Sequence, residues 1–316
     1  MASLNIYHCN ISDIWNYLNT AADKRPTAMF EKNLLSANTL SVFTTDELQR
    51  LHSICRLPEP TFPPKKVAKL LIDLSWASSH LEGNSYTYLD TQVLIEYNQR
   101  NNDKPDKDAI MILNHKRAIE YLLTLTKIDE QALLAIHQLL LDKLDSSIAG
   151  ELRCYTEIDI YGSSYIPPFQ PGIWMKTSFS ELIKQASDLQ NPILESFYWL
   201  TRLPYLQAFI DGNKLTSRMA ANIPLITQGL APLSFVDFDK RTYLGGLLAF
   251  YELQNQTLMK QSFIAAYTAS MLRYRHFTPK QRLILGTHFD EYHQLIIQFV
   301  NSGDSKILNQ LAILGF

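Results

Sequence analysis

The length, composition and charge of the chain exclude several classes of protein. Its 316 residues and 46% hydrophobic content are sufficient for a large buried core. The formal net charge is −2, from 29 basic and 31 acidic residues. We therefore expect neither nucleic acid nor an anionic membrane surface as a partner. No apolar stretch approaches the roughly 20 residues needed to span a bilayer.

The cysteines and the N-terminus indicate the compartment. Cys9, Cys55 and Cys154 are an odd number without CxxC spacing, which argues against a disulfide framework or a zinc site. The N-terminus lacks the basic start and apolar core of a signal peptide. We therefore expect a cytoplasmic protein.

Apolar residues recur at helical spacing along most of the chain, which predicts an all-α protein. One helix is expected to begin at Pro63-Pro64, because proline is tolerated in a first turn, and to end at Gly83-Asn84. Further helices are predicted over residues 89–98, 106–125, 129–145, 176–189 and 192–202, after Gly212, and from Lys240 to the end.

The segment from Arg153 to Pro171 departs from this helical pattern. Ile158-Asp159-Ile160 alternates apolar and polar residues, and Gly162-Ser163-Ser164 supplies a turn. The pattern predicts a short β-hairpin that projects from the helical body.

A turn of small residues, Asp211-Gly212-Asn213, leads directly into a predicted helix that contains Arg218. The first N–H groups of a helix have no intrahelical partners, so they and the helix dipole favour a phosphate or another anion. Arg218 could add a guanidinium to the same anion, and Asp211 could hold a magnesium ion that bridges phosphate oxygens. The alternative is that Asp211 and Asn213 form only a turn and an N-cap.

The sequence around this turn, QAFIDGNKLTSR at residues 207–218, resembles the signature of the Fic family, H-P-F-x-D-G-N-G-R-x-x-R. Five of the nine specified positions match. Three other regions look like Fic elements in the family's usual order. Residues 78–84 resemble the inhibitory-helix motif S-x-x-x-E-G/N, residues 114–121 resemble the helix after it, and residues 150–168 resemble the flap hairpin.

The resemblance implies a Fic-type helical bundle with a short β-hairpin flap. It covers roughly residues 63–230, which we expect to form a Fic-like core. Residues 1–62 are then an N-terminal helical region and residues 231–316 a C-terminal helical region, which could support the core or provide a homodimer surface.

Fic proteins transfer AMP from ATP to a protein hydroxyl, and the histidine of their motif acts as general base. Gln207 stands at that position, and an amide does not titrate near neutral pH. Lys214 replaces the second glycine and Leu215 the first arginine. Lysine at this glycine position resembles the Doc branch, which phosphorylates its targets but keeps both the histidine and the arginine. We therefore expect impaired AMP transfer.

The resemblance also assigns the residues that would hold ATP and Mg²⁺. Asp211 would bind the metal, Gly212 and Asn213 would line the anion nest, and Arg218 would meet a terminal phosphate. Lys214 either contacts phosphate or is solvated, whereas Leu215 is expected to pack. Tyr243 lies where family members place an aromatic ring beside adenine, and its alternative is core packing.

Glu82 belongs to the inhibitory motif together with Ser78, Gly83 and Asn84. By resemblance, its carboxylate reaches Arg218 and blocks docking of the terminal phosphate. The alternative is that this segment is only a helix C-terminus with a structural salt bridge.

The flap residues Ile158, Ile160, Tyr161 and Gly162 could recruit an extended protein target by strand pairing, or could only cover the core.

The sequence supports three hypotheses about function. The leading hypothesis is a degenerate Fic protein, impaired in transfer, that retains nucleotide or anion binding with a regulatory role. The alternatives are an active nucleotidyl- or phosphotransferase that modifies protein hydroxyls and a structural interaction protein.

Overall fold

The computed structural model describes residues 10–57, 64–154, 156–170 and 172–316. Its N-terminal part contains helix α1 (Ile11–Leu18), strand β1 (Ala28–Met29) and helix α2 (Thr45–Cys55). Both helices begin with a capping box, formed by Asn10 with Asp13 and by Thr44 with Glu47. In each box, two side chains satisfy backbone N–H groups that would otherwise lack partners.

The central part is almost entirely helical, as the sequence predicts. Its elements are α3 (Pro64–Leu81), α4 (Tyr88–Tyr97), α5 (Asp106–Leu122), α6 (Glu130–Leu141), β2 (Tyr165–Ile166), α7 (Gly172–Ser187), α8 (Pro192–Leu206), α9 (Asn213–Ala220) and α10 (Asn222–Thr227). The all-α prediction is confirmed. Pro63, one of the two prolines expected to begin α3, lies outside the described residues.

The C-terminal part continues with α11 (Lys240–Leu253), α12 (Thr257–Tyr274), α13 (Pro279–Ser302) and α14 (Ser305–Leu311). One hydrophobic core cluster includes residues from Leu35 to Leu314. The three regions expected from the sequence therefore share a single core. None of the helices that the structure describes is both long enough and apolar enough to cross a membrane.

Helix α8 lies inside this core. Every residue from Ser196 to Leu206 is buried, including the large side chains of Trp199 and Arg202. A helix that is covered on all sides is held by its packing rather than by one amphipathic face. Because α8 is fixed in this way, so is the point where the chain leaves it at Gln207, where the candidate site begins.

The strand pairing differs from the hairpin that the sequence predicts. Tyr165–Ile166 pairs in parallel with Ala28–Met29 of the N-terminal region, and residues 156–160 form no regular strand. Pro171, the end of the predicted hairpin segment, lies outside the described residues.

Buried Glu252 of α11 holds the turn in this segment. Its carboxylate accepts hydrogen bonds from the hydroxyls of Ser163 (2.7 Å) and Ser164 (2.8 Å) and from Arg25 (3.1 Å). These partners are distant in sequence, so the local alternation of residues could not reveal the actual pairing.

Candidate functional site

The candidate site is the turn that connects α8 to α9. Helix α8 ends at Gln207, whose φ of 51° and ψ of 55° are left-handed. Gly212 immediately before α9 is also left-handed, with a φ of 74°. The two residues redirect the chain within six positions, so that α9 begins directly beside the end of α8.

Asn213 joins the two sides of this turn. Its side-chain amide donates to the carbonyl oxygens of Phe209 (2.8 Å) and of the Gln207 side chain (2.9 Å). Its side-chain oxygen accepts from the Phe209 N–H at 3.0 Å. Asn213 is therefore buried and links the two sides of the loop. The N-cap of α9 is Gly212, and not Asn213 as the sequence alternative had it.

Gln207 stands at the position of the expected base, and both ends of its amide are engaged. The nitrogen donates to the Pro204 carbonyl at 2.7 Å, while the oxygen accepts from Asn213. A neutral amide in this arrangement stabilises the loop and does not take up a proton near neutral pH.

His137 of α6 packs against the loop and holds it by hydrogen bonds. Its Nε2 donates to the Asp211 carbonyl at 2.9 Å, while its Nδ1 accepts from the Gly150 N–H at 2.9 Å. Its ring stacks on Phe209 with a centroid separation of 3.8 Å. A Cβ on Gly212 would come within 3.2 Å of this ring. The close approach explains why glycine fits there.

Sequence reasoning missed His137, because a lone histidine in an apolar helical run carries no local signal of a site. Burial lowers its pKa, despite the Asp211 carbonyl that favours the charged form. Both ring nitrogens are occupied and the residue is fully buried. His137 therefore positions the loop and does not replace the missing base.

The start of α9 has the features of an anion site. Gly212 at its N-cap provides no side-chain hydrogen bond to the first-turn N–H groups. The exposed carboxylate of Asp211 lies beside them and accepts from the Gly212 N–H at 2.7 Å. Uncapped N–H groups at the positive end of a helix favour phosphate.

One carboxylate meets two cations above this turn. Glu82 Oε1 lies 2.8 Å from Arg218 Nη2, and Glu82 Oε2 lies 3.0 Å from Lys214 Nζ. Burial would raise the pKa of Glu82, but the charges of Arg218 and Lys214 outweigh it and lower the pKa to about 2. Glu82 therefore stays ionised and occupies both cations.

Arg218 is also held by α3. The guanidinium is fully buried and donates to the Ser78 hydroxyl (2.8 Å) and to the Ser78 carbonyl (3.1 Å). The same hydroxyl lies 3.0 Å from Nε2 of His115, a fully buried histidine of α5 that sequence reasoning did not associate with the site. Burial lowers the pKa of His115 to about 4, so the ring is neutral near pH 7.

Gly83 and Asn84 shape the chain after α3. Gly83 has a φ of +92°, which explains why glycine follows Glu82. Asn84 is buried and donates to the Asp108 carbonyl at 2.9 Å. Together they end α3 so that Glu82 points at α9.

Two further residues considered for nucleotide contacts lie in the core. Tyr243 is fully buried, packs edge-to-face against Phe238, and has its pKa raised by burial. Leu215 is 6% exposed and belongs to the main hydrophobic cluster. In this conformation Tyr243 offers no exposed face to an adenine ring.

Arg153 fixes the flap segment beside the loop. Its backbone N–H donates to the Ala208 carbonyl at 2.8 Å, and its Nε donates to the Gln207 carbonyl at 3.0 Å. Within the segment, Ile158 and Ile160 are half-buried, whereas Tyr161 and Gly162 are exposed. The apolar side chain with full exposure is that of Tyr161.

Residues 127–225, which include the whole turn, match the family model Fic/DOC. This segment of the chain is therefore similar to the Fic/DOC family. It is 27% identical over 160 residues to a protein adenylyltransferase Fic of Drosophila persimilis, which covers 48% of this chain and 31% of the relative. A protein of the same name from Nematostella vectensis is 23% identical over 243 residues, covering 74% and 55%.

The chain thus spans less than two thirds of the length of either relative. A solved structure of Fic-1 from C. elegans has the same fold, with a TM-score of 0.60 at 17% identity over 72% of this chain and 70% of that one. The fold expected from the motifs is therefore confirmed.

Asp211 would provide a single carboxylate to a magnesium ion. Among the described residues, no group of three or more His, Cys, Asp or Glu side chains could hold a metal ion. Magnesium commonly binds through one or two carboxylates together with substrate phosphates and water. The single exposed carboxylate of Asp211 suits such a phosphate-borne ion and does not suit a metal held by the protein alone.

Proposed function

We propose that this chain is a Fic protein that binds ATP or a related phosphate-bearing anion at the start of α9, is impaired in AMP transfer, and acts through regulated binding. The observation that carries the proposal is the state of Gln207. Both ends of its amide are committed to Pro204 and Asn213. The loop thereby keeps its shape with a side chain that cannot act as a base.

The binding part of the proposal rests on the groups around α9. The first-turn N–H groups would receive a phosphate, and Asp211 would hold a Mg²⁺ ion that neutralises phosphate charge. Arg218 lies one turn further along the same helix. Its guanidinium would meet a terminal phosphate once Glu82 moved away.

The regulated part rests on the two ion pairs of Glu82. A terminal phosphate and the Glu82 carboxylate would compete for the same donors of Arg218 and Lys214. This supports Glu82 as an inhibitory residue over the purely structural alternative. The ion pair of Lys214 with Glu82 supports a role for Lys214 in the same inhibitory contact.

An active transferase is the second candidate. Asp211, Gly212, Asn213 and Arg218 are arranged around one turn, and the curated relatives are named adenylyltransferases. In that case water or the substrate would have to accept the proton. A purely structural interaction protein would instead bind no nucleotide at the turn.

Labelling with radioactive ATP tests whether the chain transfers AMP. We expect no labelled protein from the unchanged chain or from Glu82→Gly, and measurable label from Glu82→Gly combined with Gln207→His. Asp211→Ala added to that combination is the matched control and should abolish the label. Label from Glu82→Gly alone that disappears with Asp211→Ala would overturn the impaired-transfer proposal.

Calorimetry with ATP and Mg²⁺ tests binding independently of transfer. We expect saturable binding by Glu82→Gly that Asp211→Ala weakens by at least tenfold. If neither the unchanged chain nor Glu82→Gly binds, the interaction-protein candidate is correct and the binding proposal is wrong.

A further inference from the structure

A basic cleft lies at the end of α3 opposite Glu82. It is formed by the start of α3, the end of α12 and the start of α13, and has a volume of about 570 Å³. Six basic side chains line it: Lys66, Lys69, Arg273, Arg275, His276 and Arg282. Among the residues that the structure describes, no aspartate or glutamate lines it. This local excess contrasts with the formal net charge of −2 for the whole chain.

The floor of the basic cleft is fixed by one buried carboxylate. Asp73 of α3 is fully buried and accepts hydrogen bonds from the hydroxyls of Tyr88 (2.6 Å) and Tyr274 (2.9 Å). Arg273 lies 3.9 Å from Asp73 and 3.2 Å from Asp237. Both carboxylates pair with Arg273 and also act at longer range on Lys69. The hydrogen bonds of Asp73 hold α3, α4 and α12 together.

Within the described part of the chain, three of the other cations donate no hydrogen bond to a carboxylate. Lys69, Arg275 and Arg282 donate to main-chain carbonyl oxygens. A carbonyl oxygen satisfies a donor but carries no full charge, so the positive charge remains available to an anion. Burial and the charge of Arg273 lower the pKa of Lys69, although Asp73 opposes them. An anion beside Lys69 would favour the charged form of its side chain.

The cleft also has an apolar side. Phe277, Leu285 and Phe289 line it, and Phe289 is 38% exposed. At Gly286, a Cβ would meet no atom within 4 Å, so space is open there. Cations facing an exposed aromatic ring suit a ligand that joins phosphate groups to a flat ring.

We propose that the basic cleft is a second ligand site, which binds an organic phosphate of nucleotide size. Its volume lies within the roughly 300–1,000 Å³ of small-molecule sites. It shares no residue with the α9 turn. Lys69 precedes Glu82 by 13 positions, about 20 Å along a helix that rises 1.5 Å per residue. The proposal therefore does not depend on nucleotide binding at α9.

Calorimetry on the full chain in low salt and without divalent metal tests the charge requirement. ADP and inorganic pyrophosphate should both bind saturably, and adenosine should bind at least tenfold more weakly than ADP. Lys69→Gln combined with Arg282→Gln should weaken ADP binding at least tenfold. The matched control, Arg100→Gln with Lys127→Gln, removes one arginine and one lysine from the exposed surface and should change it less than twofold.

Phe289→Ala tests the ring requirement at an exposed position, where the fold is not at risk. It should weaken ADP binding about threefold and leave pyrophosphate binding unchanged. The proposal is wrong if neither ADP nor pyrophosphate binds saturably, or if the double cleft variant binds ADP as the unchanged chain does. It is also wrong if Lys214→Gln abolishes ADP binding, since the anion would then occupy the α9 turn.

Discussion

Helix α3 meets a group of cations at each end, and the two groups differ in what surrounds them. At the C-terminal end, Lys214 and Arg218 share the carboxylate of Glu82. At the N-terminal end, Lys69 and Arg282 lie in a cleft and donate to backbone carbonyls. An anion at the first end must displace a carboxylate, whereas an anion at the second end finds charge that is not yet neutralised.

The difference shows that a basic residue in a cavity does not by itself indicate a ready anion site. Arg218 is fully buried, and its guanidinium donates to Ser78 of α3 and to Glu82 just after it. Lys69 and Arg282 donate to main-chain carbonyls, and no carboxylate among the described residues accepts a hydrogen bond from them. We therefore expect loss of Arg218 to lower the stability of the fold, and loss of Lys69 and Arg282 to lower the affinity for an anion.

The largest effect is expected from Arg218→Met, which removes the buried cation that pairs with Glu82 at the C-terminal end of α3. The buried Ser78 hydroxyl and the Glu82 carboxylate, whose side chain is 21% exposed, would both lose the guanidinium. Removing one partner of a buried ion pair typically costs about 3–5 kcal/mol. The free energy of unfolding from urea denaturation should fall by that amount.

Arg100→Met is the control for this change, because the Arg100–Asp106 pair is exposed. It should cost less than about 1 kcal/mol. If Arg218→Met costs no more than Arg100→Met, the contacts of Arg218 with α3 do not stabilise the fold and the comparison fails.

Asp73→Ala tests the rigid floor at the other end of α3. It removes the acceptor of two tyrosine hydroxyls and one partner of Arg273, so we expect a loss of about 2–3 kcal/mol in urea denaturation. Asp106→Ala, at an exposed carboxylate, is the matched control and should lie within about 0.5 kcal/mol of the unchanged chain. Equal losses for the two variants would contradict the assigned role of Asp73.

His137→Leu separates the shape of the α9 turn from its charge. It removes the bonds to Asp211 and Gly150 while keeping an apolar side chain, so we expect a loss of about 2 kcal/mol. Hydrogen exchange at residues 209–213 should become faster. His288→Leu, at an exposed histidine, should leave both quantities unchanged; exchange that stays slow in His137→Leu would argue against the supporting role of the ring.

Glu82→Gln should leave the cations at the C-terminal end of α3 without a hydrogen-bonded carboxylate partner, as Lys69 and Arg282 are among the described residues at the N-terminal end. The amide keeps the size of the side chain but removes its negative charge, so Lys214 and Arg218 become available to phosphate. We expect calorimetry to show about tenfold tighter binding of ATP with Mg²⁺, equivalent to about 1.4 kcal/mol. Glu120→Gln, at an exposed pair with Lys116, should not change the affinity. Weaker binding in Glu82→Gln would mean that the carboxylate does not compete with phosphate.

A gradual loss of stability in acid is also expected. The pKa of His115 is lowered from 6.5 to about 4, so the unfolded chain takes up this proton first and stability falls as the pH drops from 6.5 toward 4. The pKa of Glu82 is lowered from 4.5 to about 2, so its contribution is present above pH 4.5 and is lost as the pH falls toward 2. Urea midpoints from pH 8 to pH 3 measure both.

Matched variants assign the two parts of this acid dependence. His115→Gln should flatten the upper part of the curve, and Glu82→Gln should flatten the lower part. A curve that keeps its shape in both variants would place the acid sensitivity elsewhere in the chain.

The sequence predicted those parts of the molecule that depend on neighbouring residues. The end of α3 at Gly83-Asn84, the start of α8 at Pro192 and the turn at Asp211-Gly212-Asn213 each follow from capping or turn chemistry over a few positions. The motif then placed Glu82 and Arg218 as candidate partners, and their side chains lie 2.8 Å apart.

The remaining features depend on residues that are distant in sequence. His137 contacts Asp211 across 74 positions, and Glu252 reaches Ser164 across 88. No local pattern marks either residue, and the parallel pairing of Tyr165–Ile166 with Ala28–Met29 was missed for the same reason. The contact of Lys214 with Glu82 required the crossing of α3 and α9, which one sequence does not specify.

The left-handed backbone at Gln207 has an evolutionary consequence. Few residue types other than glycine adopt this conformation readily, and histidine is among those enriched in it. The path of the main chain therefore imposes no barrier to an imidazole at this position. Passage between a glutamine and a histidine form of the protein would require no change of backbone conformation at this residue, but would replace the amide contacts of Gln207 with Pro204 and Asn213.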